Sequence, residues 1–558
     1  MKKKLDNILK DTIKKCFETG VLNKTDLPPY VIEIPNNPDH GHFATNLPMI
    51  LASSQKKAPR EIAGIIIDHI EDNEGVLERV DIAGPGFINF IISAHEWYKE
   101  LFRIISLGDK FGGSDAGSNE RIMVEFVSAN PTGPLHLGHG RGAALGDTIC
   151  RILSFCGYDV AREFYINDAG LQIKLLGESV YSRWKQMTDP DYPFPENGYH
   201  GSYIFDLAEE ISNETDLSSL DQGEAIDLCS TKGQERMLIE IKEDLSLFRV
   251  NFDAWYHESD LFKNGLVDKA LTEIRERGEL YDKDGAVWIN TSAFGDDKDR
   301  VIKKQDGQFT YFASDISYHL DKYKRGFSKA INIWGADHHG YVQRVKAALK
   351  ADGLDENWLS VLLIQLVKLW KEGQELKMSK RSGQYVTLKE LIDEVGIDAV
   401  RFVFLTKSHD SPLDFDIDMV KKQDSENPVY YVQYAHARIC SIFRKAASEK
   451  ISLPEDPNGV FDRLVLEEEM RLIRFMLEFP TLLEDISVSF EAHKLTYYLT
   501  ELAARFHRYF NLGAKIPENR IVMDDIPLSQ ARLLLVDAIR IVIFNGLQLL
   551  GIHAPEKM

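Results

Sequence analysis

Between Arg121 and Asp168 the chain reads strand, glycine-rich turn, helix, strand, and that order leaves few folds open. "RIMVEFVS" is an apolar run of strand length. "ANPTGPLHLGHGRGAALGD" passes through prolines and glycines into a helical pattern, and "YDVAREFYIND" reads as a second strand. A strand joined to the next strand through a helix is a βαβ unit, which predicts a parallel sheet. Further candidate strands, "AVWINTSAF", "KAINIWGAD" and "LSVLLIQLVKLW", alternate with helical stretches such as "YVQRVKAALKADG". The expected fold class is α/β, a Rossmann-like doubly wound parallel sheet carrying insertions.

A chain of 558 residues outgrows a single core. Residues 1–115 mix "YVIEI" and "FINFII" with an amphipathic "REIAGIIIDHI", which suggests a small α/β module, and "LGDKFGGSDAGSNE" then looks like a linker. Residues 116–426 hold the parallel-sheet pattern. From 427 to 558 the chain turns to long amphipathic helices, "YYVQYAHARICSIFRKAASEK" and "LSQARLLLVDAIRIVIFNGLQLLG", and a helical bundle is expected there.

Net charge is −21, from 66 Lys and Arg against 87 Asp and Glu, so any surface for a polyanion must be a local basic face. No run of 18 apolar residues exists and the N-terminus is broken by charge every few residues, so a soluble cytoplasmic protein with no membrane contact is expected. The five cysteines are scattered without a CxxC or a histidine pair at zinc spacing, which implies neither a disulfide framework nor a structural zinc.

His136 and His139 stand three apart at the start of the first helix, with no third ligand near them, so a metal site is disfavoured. Two histidines at a helix start can simply cap it. Pro131, Gly133, Pro134, Gly138, Gly140 and Gly142 keep the backbone uncluttered where strand hands over to helix, the place where open parallel sheets bind nucleotides. Imidazole N–H groups there would add donors for phosphate. Some 240 residues later "ELKMSKRSGQYVTL" sets Lys377, Lys380 and Arg381 around Met378 and Ser379. Alone it reads as a solvated basic turn, or as a loop that neutralises a departing pyrophosphate.

"HLGH" with "KMSKR" resembles the paired signatures of class I aminoacyl-tRNA synthetases. "VEFVSANPTGPLHLGHGRGA", "FYINDAGLQ", "NPVYYVQYAHARI", "LGIHAPEKM" and "NPDHGHFATNLPMILA" resemble the arginyl-tRNA synthetase family along the whole chain. The resemblance implies ligation of L-arginine to tRNA(Arg) through arginyl-adenylate, with ATP and Mg2+ as substrate, no zinc, and an adenylation step that needs tRNA present. It implies that His136, Gly138, His139, Lys377, Met378 and Lys380 bind ATP, with the two histidines and two lysines catalytic. It assigns Glu125, Ser128, Asn130, Tyr311, Asp315 and Gln343 to arginine. It also gives residues 1–115 to tRNA contact and residues 427–558 to the anticodon. Read from the residues alone, "FTYFASDISYHL" is better taken as an ordinary amphipathic helix with an exposed acid. Asp337, His338 and His339 look like a metal cluster but fit the nucleotide and arginine pocket better, since no remote ligand set accompanies them. A monomer is expected. A cysteinyl enzyme would show thiolate and histidine zinc ligands, which the scattered cysteines do not supply. A synthetase-like protein that binds tRNA without charging it is the rival from another class.

Overall fold

The computed structural model describes residues 1–35, 37–168, 170–376 and 386–558. At its centre are five parallel strands: β1 (Arg121–Glu125), β2 (Asp159–Ile166), β3 (Ala254–His257), β4 (Lys329–Gly335) and β5 (Leu359–Ile364), in the order β5-β4-β1-β2-β3. This is the expected doubly wound sheet. The apolar run of β1 is buried from its second residue onward, as a strand covered on both faces must be. β1 pairs with β4 on one side and β2 on the other, so the direction of winding reverses beside it, and a crevice opens at the carboxyl end of such a strand.

Two candidate strands lie elsewhere. "AVWINTSAF" contributes Ala286–Ile289 to a separate antiparallel sheet with Leu280–Lys283 and Arg300–Lys303. The cause is local: Asp284 and Gly285 both take positive φ, 51° and 75°, the backbone of a tight hairpin turn, so the chain folds back at once. "LSVLLIQLVKLW" is two strands. After β5 the backbone of Gln365 is captured, its N–H donating to the His409 carbonyl at 2.8 Å and its carbonyl accepting from Arg141 at 2.8 Å. Val367–Lys371 then joins a different small sheet.

Residues 2–107 form a four-stranded antiparallel sheet with helices Lys2–Glu18, Leu47–Gln55, Pro59–Asp68 and Ala94–Leu107. The glycine-rich break after it is packed, not free. Phe111 is fully buried, and the Asn545 side-chain amide donates to the carbonyls of Gly108 and Phe111, both at 2.9 Å. Helices from Pro428 to Leu549 make the expected bundle. Among the described residues no helix is long and apolar enough to cross a membrane.

The first helix of the sheet, Leu137–Phe155, is buried along most of its length and meets the Gln548–Leu550 segment through Arg151 and Arg401. Arg401 is wholly buried. It donates to Asp147 of that helix at 2.5 Å, to the Leu550 carbonyl at 2.8 Å and to the Phe248 carbonyl at 2.9 Å. Arg401→Met should lower stability by about 3 kcal/mol, because it leaves two buried carbonyls without a donor and Asp147 with Arg151 as its remaining partner. Urea unfolding checks this, and a shift below about 1 kcal/mol would mean that water replaces the lost donors.

Candidate active site

The chain leaves β1 under strain. Val127 and Ser128 both adopt positive φ, 68° and 40°, a region costly for a β-branched residue, and such strain persists where surrounding contacts over-determine it. Here the Ser128 hydroxyl donates to Glu125 Oε1 at 3.0 Å and accepts from the Tyr165 N–H at 3.2 Å. The turn thereby holds Ser128 over the end of the sheet, with Glu125 buried beneath it. Asn130 follows and donates to Gln172 at 2.6 Å, which ties the loop after β1 to the helix after β2.

His136 caps the helix. Its Nδ1 accepts from the His139 N–H at 3.2 Å, the His136 N–H reaches His139 Nδ1 at 3.4 Å, and the two rings stack with centroids 3.6 Å apart. An Nδ1 that accepts a hydrogen bond leaves the ring hydrogen on Nε2. Gly138 suits this cap, since a Cβ there would meet His136 Cε1 at 3.0 Å and the ring would have to give by a few tenths of an ångström. His136 also forms a bridge with Thr387, and the Leu388 N–H donates to the Leu135 carbonyl at 2.8 Å. Thr387 follows directly on the segment carrying the second signature. Lys377, Met378 and Lys380 themselves lie outside the described residues.

The helix Tyr311–Lys324 crosses behind this turn. Asp315 faces inward and its carboxylate accepts from the Tyr341 hydroxyl. Burial pushes its pKa up to about 7, reinforced by the nearby carboxylates of Glu258 and Glu125 and opposed by Tyr341 and Lys322. Tyr311 is exposed, with its hydroxyl beside Gly170, and Gln343 is exposed and donates to the Gly295 carbonyl at 3.2 Å. Asp337, His338 and His339 follow β4, and Asp337 and His338 are exposed. No group of three or more His, Cys, Asp or Glu among the described residues is placed to hold a metal.

The structure adds residues that the sequence reading passed over. Glu258, buried at the carboxyl end of β3, has its pKa raised by burial and sits close enough to influence Asp315. It was hidden because "AWYH" is too short to stand out as a strand. Asp168, after β2, accepts from Ser259 N–H at 2.8 Å and pairs with His257 at 2.9 Å, closing the carboxyl ends of β2 and β3 together. Lys322 stands seven residues after Asp315, on the same helix face, a spacing visible in "DISYHLDK".

The chain matches three family models: Arginyl tRNA synthetase N terminal domain over residues 3–92, tRNA synthetases class I (R), catalytic domain over 101–425, and DALR anticodon binding domain over 432–558. It is 46% identical over 564 residues to an arginine–tRNA ligase of Desulfosudis oleivorans and 47% identical over 568 residues to one of Geobacter metallireducens, each covering 100% of both chains. A solved structure described as a putative arginyl tRNA synthetase from Campylobacter jejuni aligns with TM-score 0.75 at 36% identity, over 84% of this chain and 100% of that one. The Thermus thermophilus arginyl-tRNA synthetase shares the fold over 100% of both chains, with TM-score 0.76 at 22% identity. With relatives this similar from end to end, the chain belongs to the arginyl-tRNA synthetase family of class I aminoacyl-tRNA synthetases.

Proposed function

We propose that the crevice at the end of β1 holds arginine and Mg-ATP side by side, with the roles divided along it. As a member of its family the chain is an arginine–tRNA ligase, and ATP, arginine and tRNA are its substrates. The observation that carries the division of roles is the contrast between the two walls. One is a helix N-terminus capped by two stacked imidazoles, suited to phosphate. The other carries the carboxylates of Glu125, Glu258 and Asp315, suited to a dication.

The arginine carboxylate must reach the α-phosphorus, so its α-ammonium lies on the phosphate side, with Glu125, Ser128 and Asn130. The guanidinium then extends to Asp315 and Glu258, with Tyr311 and Gln343 at the rim. His136, Gly138 and His139 take the ATP phosphates, and Lys377, Met378 and Lys380 close over them. A carboxylate oxygen attacks the α-phosphorus and pyrophosphate leaves. The 3'-terminal ribose hydroxyl of tRNA then attacks the adenylate carbonyl and AMP leaves. No protein nucleophile is needed, since orientation and charge stabilisation supply the rate.

Residues 1–115 contact the tRNA, 116–426 catalyse, and 427–558 read the anticodon. In the last region a cavity of about 720 Å³ is lined by Tyr434, Arg438, Arg444, Lys445, Phe510 and Arg520. The Arg438 guanidinium lies 4.4 Å from the Tyr434 ring and 4.8 Å from that of Phe510, a mixture of cation and aromatic that suits unstacked bases. Phe506, His507 and Tyr509, by contrast, are core. The protein acts as a cytoplasmic monomer, with Mg2+ arriving on ATP and no zinc.

The test is ATP–pyrophosphate exchange with each amino acid, with and without tRNA. Exchange with arginine alone, and only when tRNA is present, is expected. Exchange with another amino acid, or none with any, would overturn the reading.

A further inference from the structure

Beneath Glu125 lies a lysine with no part in the chemistry above. Lys322 is fully buried, and each of its three N–H bonds has a destination. One reaches Glu125 Oε2 at 2.5 Å, one reaches Asn332 Oδ1 at 3.1 Å, and the Tyr318 ring lies 4.2 Å from the ammonium. Because the Asn332 oxygen accepts from the lysine, its amide nitrogen is the donor toward His319 Nε2 at 2.9 Å. His319 Nε2 is then an acceptor, so Nδ1 carries the hydrogen and donates to the Asp315 carbonyl at 2.7 Å. Burial pushes the His319 pKa down to about 3, which keeps the ring neutral. The hydrogen bonds therefore run in one fixed sense from Lys322 to the backbone of Asp315, while Lys322 also grips Glu125, so the two ends of the proposed arginine site share one support.

We propose that Lys322 is a positioning residue, which pins Oε2 of Glu125 so that Oε1, steered by Ser128, faces the α-ammonium of arginine. This rests on the assignment of Glu125 to that ammonium. Stability alone would be served as well by an apolar pair, since the desolvation of a buried ion pair offsets most of its attraction. What an apolar pair could not do is keep one carboxylate charged and fixed at the end of β1.

The test compares two ligands in aminoacylation assays with tRNA. For Lys322→Met the KM for arginine should rise about 10–100-fold, the scale expected when a contact is misplaced by an ångström or so. The KM for ATP should hold. Inhibition by 5-guanidinopentanoate, which keeps the guanidinium and carboxylate but lacks the α-ammonium, should also hold. Equal weakening of both ligands would mean general damage to the site and would overturn the proposal. Glu125→Gln should reproduce the loss, and the double variant should be no worse than Glu125→Gln alone. If Glu125→Gln leaves the KM for arginine unchanged, the assignment of Glu125 fails. If Glu125→Gln raises it and Lys322→Met does not, the role of Lys322 alone fails. Should Lys322→Met not fold, the double variant removes the buried pair together, and a KM well above that of Glu125→Gln would show Lys322 acting elsewhere.

Discussion

Asp315→Asn should lower kcat/KM for arginine by about 10³, because it strips the charge from the proposed partner of the guanidinium while keeping its shape. Citrulline, whose neutral urea mimics the guanidinium in outline, should lose little as an inhibitor, so the preference for arginine should narrow. The pH dependence is a second signature. With the Asp315 pKa near 7 in the empty site, the proton must leave before the guanidinium can pair. Raising the pH through 7 therefore creates the binding form, so kcat/KM for arginine should climb about tenfold per pH unit below 7 and level off above it. In Asp315→Asn that acid limb should vanish. Arginine binding near pH 7 should also release protons, measurable by calorimetry in buffers of different ionisation enthalpy. An unaltered acid limb in the variant would assign it to another group.

Lys380→Ala should reduce the rate of adenylate formation by about 10²–10³ with the fold intact, the usual scale for removing a preorganised group aimed at developing charge. The flanking geometry supports this. The chain enters the second signature from the strand Gln374–Leu376 and leaves it at Thr387, which bridges to His136. Single-turnover measurement with tRNA present isolates the step. Near-wild-type turnover in a variant of unchanged melting temperature would remove Lys380 from the catalytic set.

The central sheet was legible because β1, β4 and β5 are mainly apolar runs, as buried parallel strands are, while β2, of mixed polarity, still follows the turn after the first helix. β3 was not, since four residues of mixed polarity give no period. "AVWINTSAF" misled because strand propensity says nothing about the partner, whereas Asp284–Gly285 just before it already encoded a hairpin. At the site, the helix start with His136 and His139 could be read locally. The environment of Asp315 could not. An inward acid and an exposed one look identical on a helix until Tyr341, Glu258 and Lys322 arrive from other segments to distinguish them. The glycine-rich break after the first module illustrates the same limit, because composition marks flexibility of the free chain and is silent on what packs over it.

The cage around Arg401 also carries a message about time. Asp147 leaves the ribosome early and Arg401 later, and the Leu550 carbonyl that completes the cage comes later still, with the Gly551 carbonyl accepting from Arg249 just after it. During synthesis the helix Leu137–Phe155 therefore waits for segments far along the chain before this contact between Asp147 and Arg401 is complete. A nascent chain stopped before Leu550 would leave the Arg401 Nε–H in the interior without this acceptor, so the cage closes only once that part of the chain has been made.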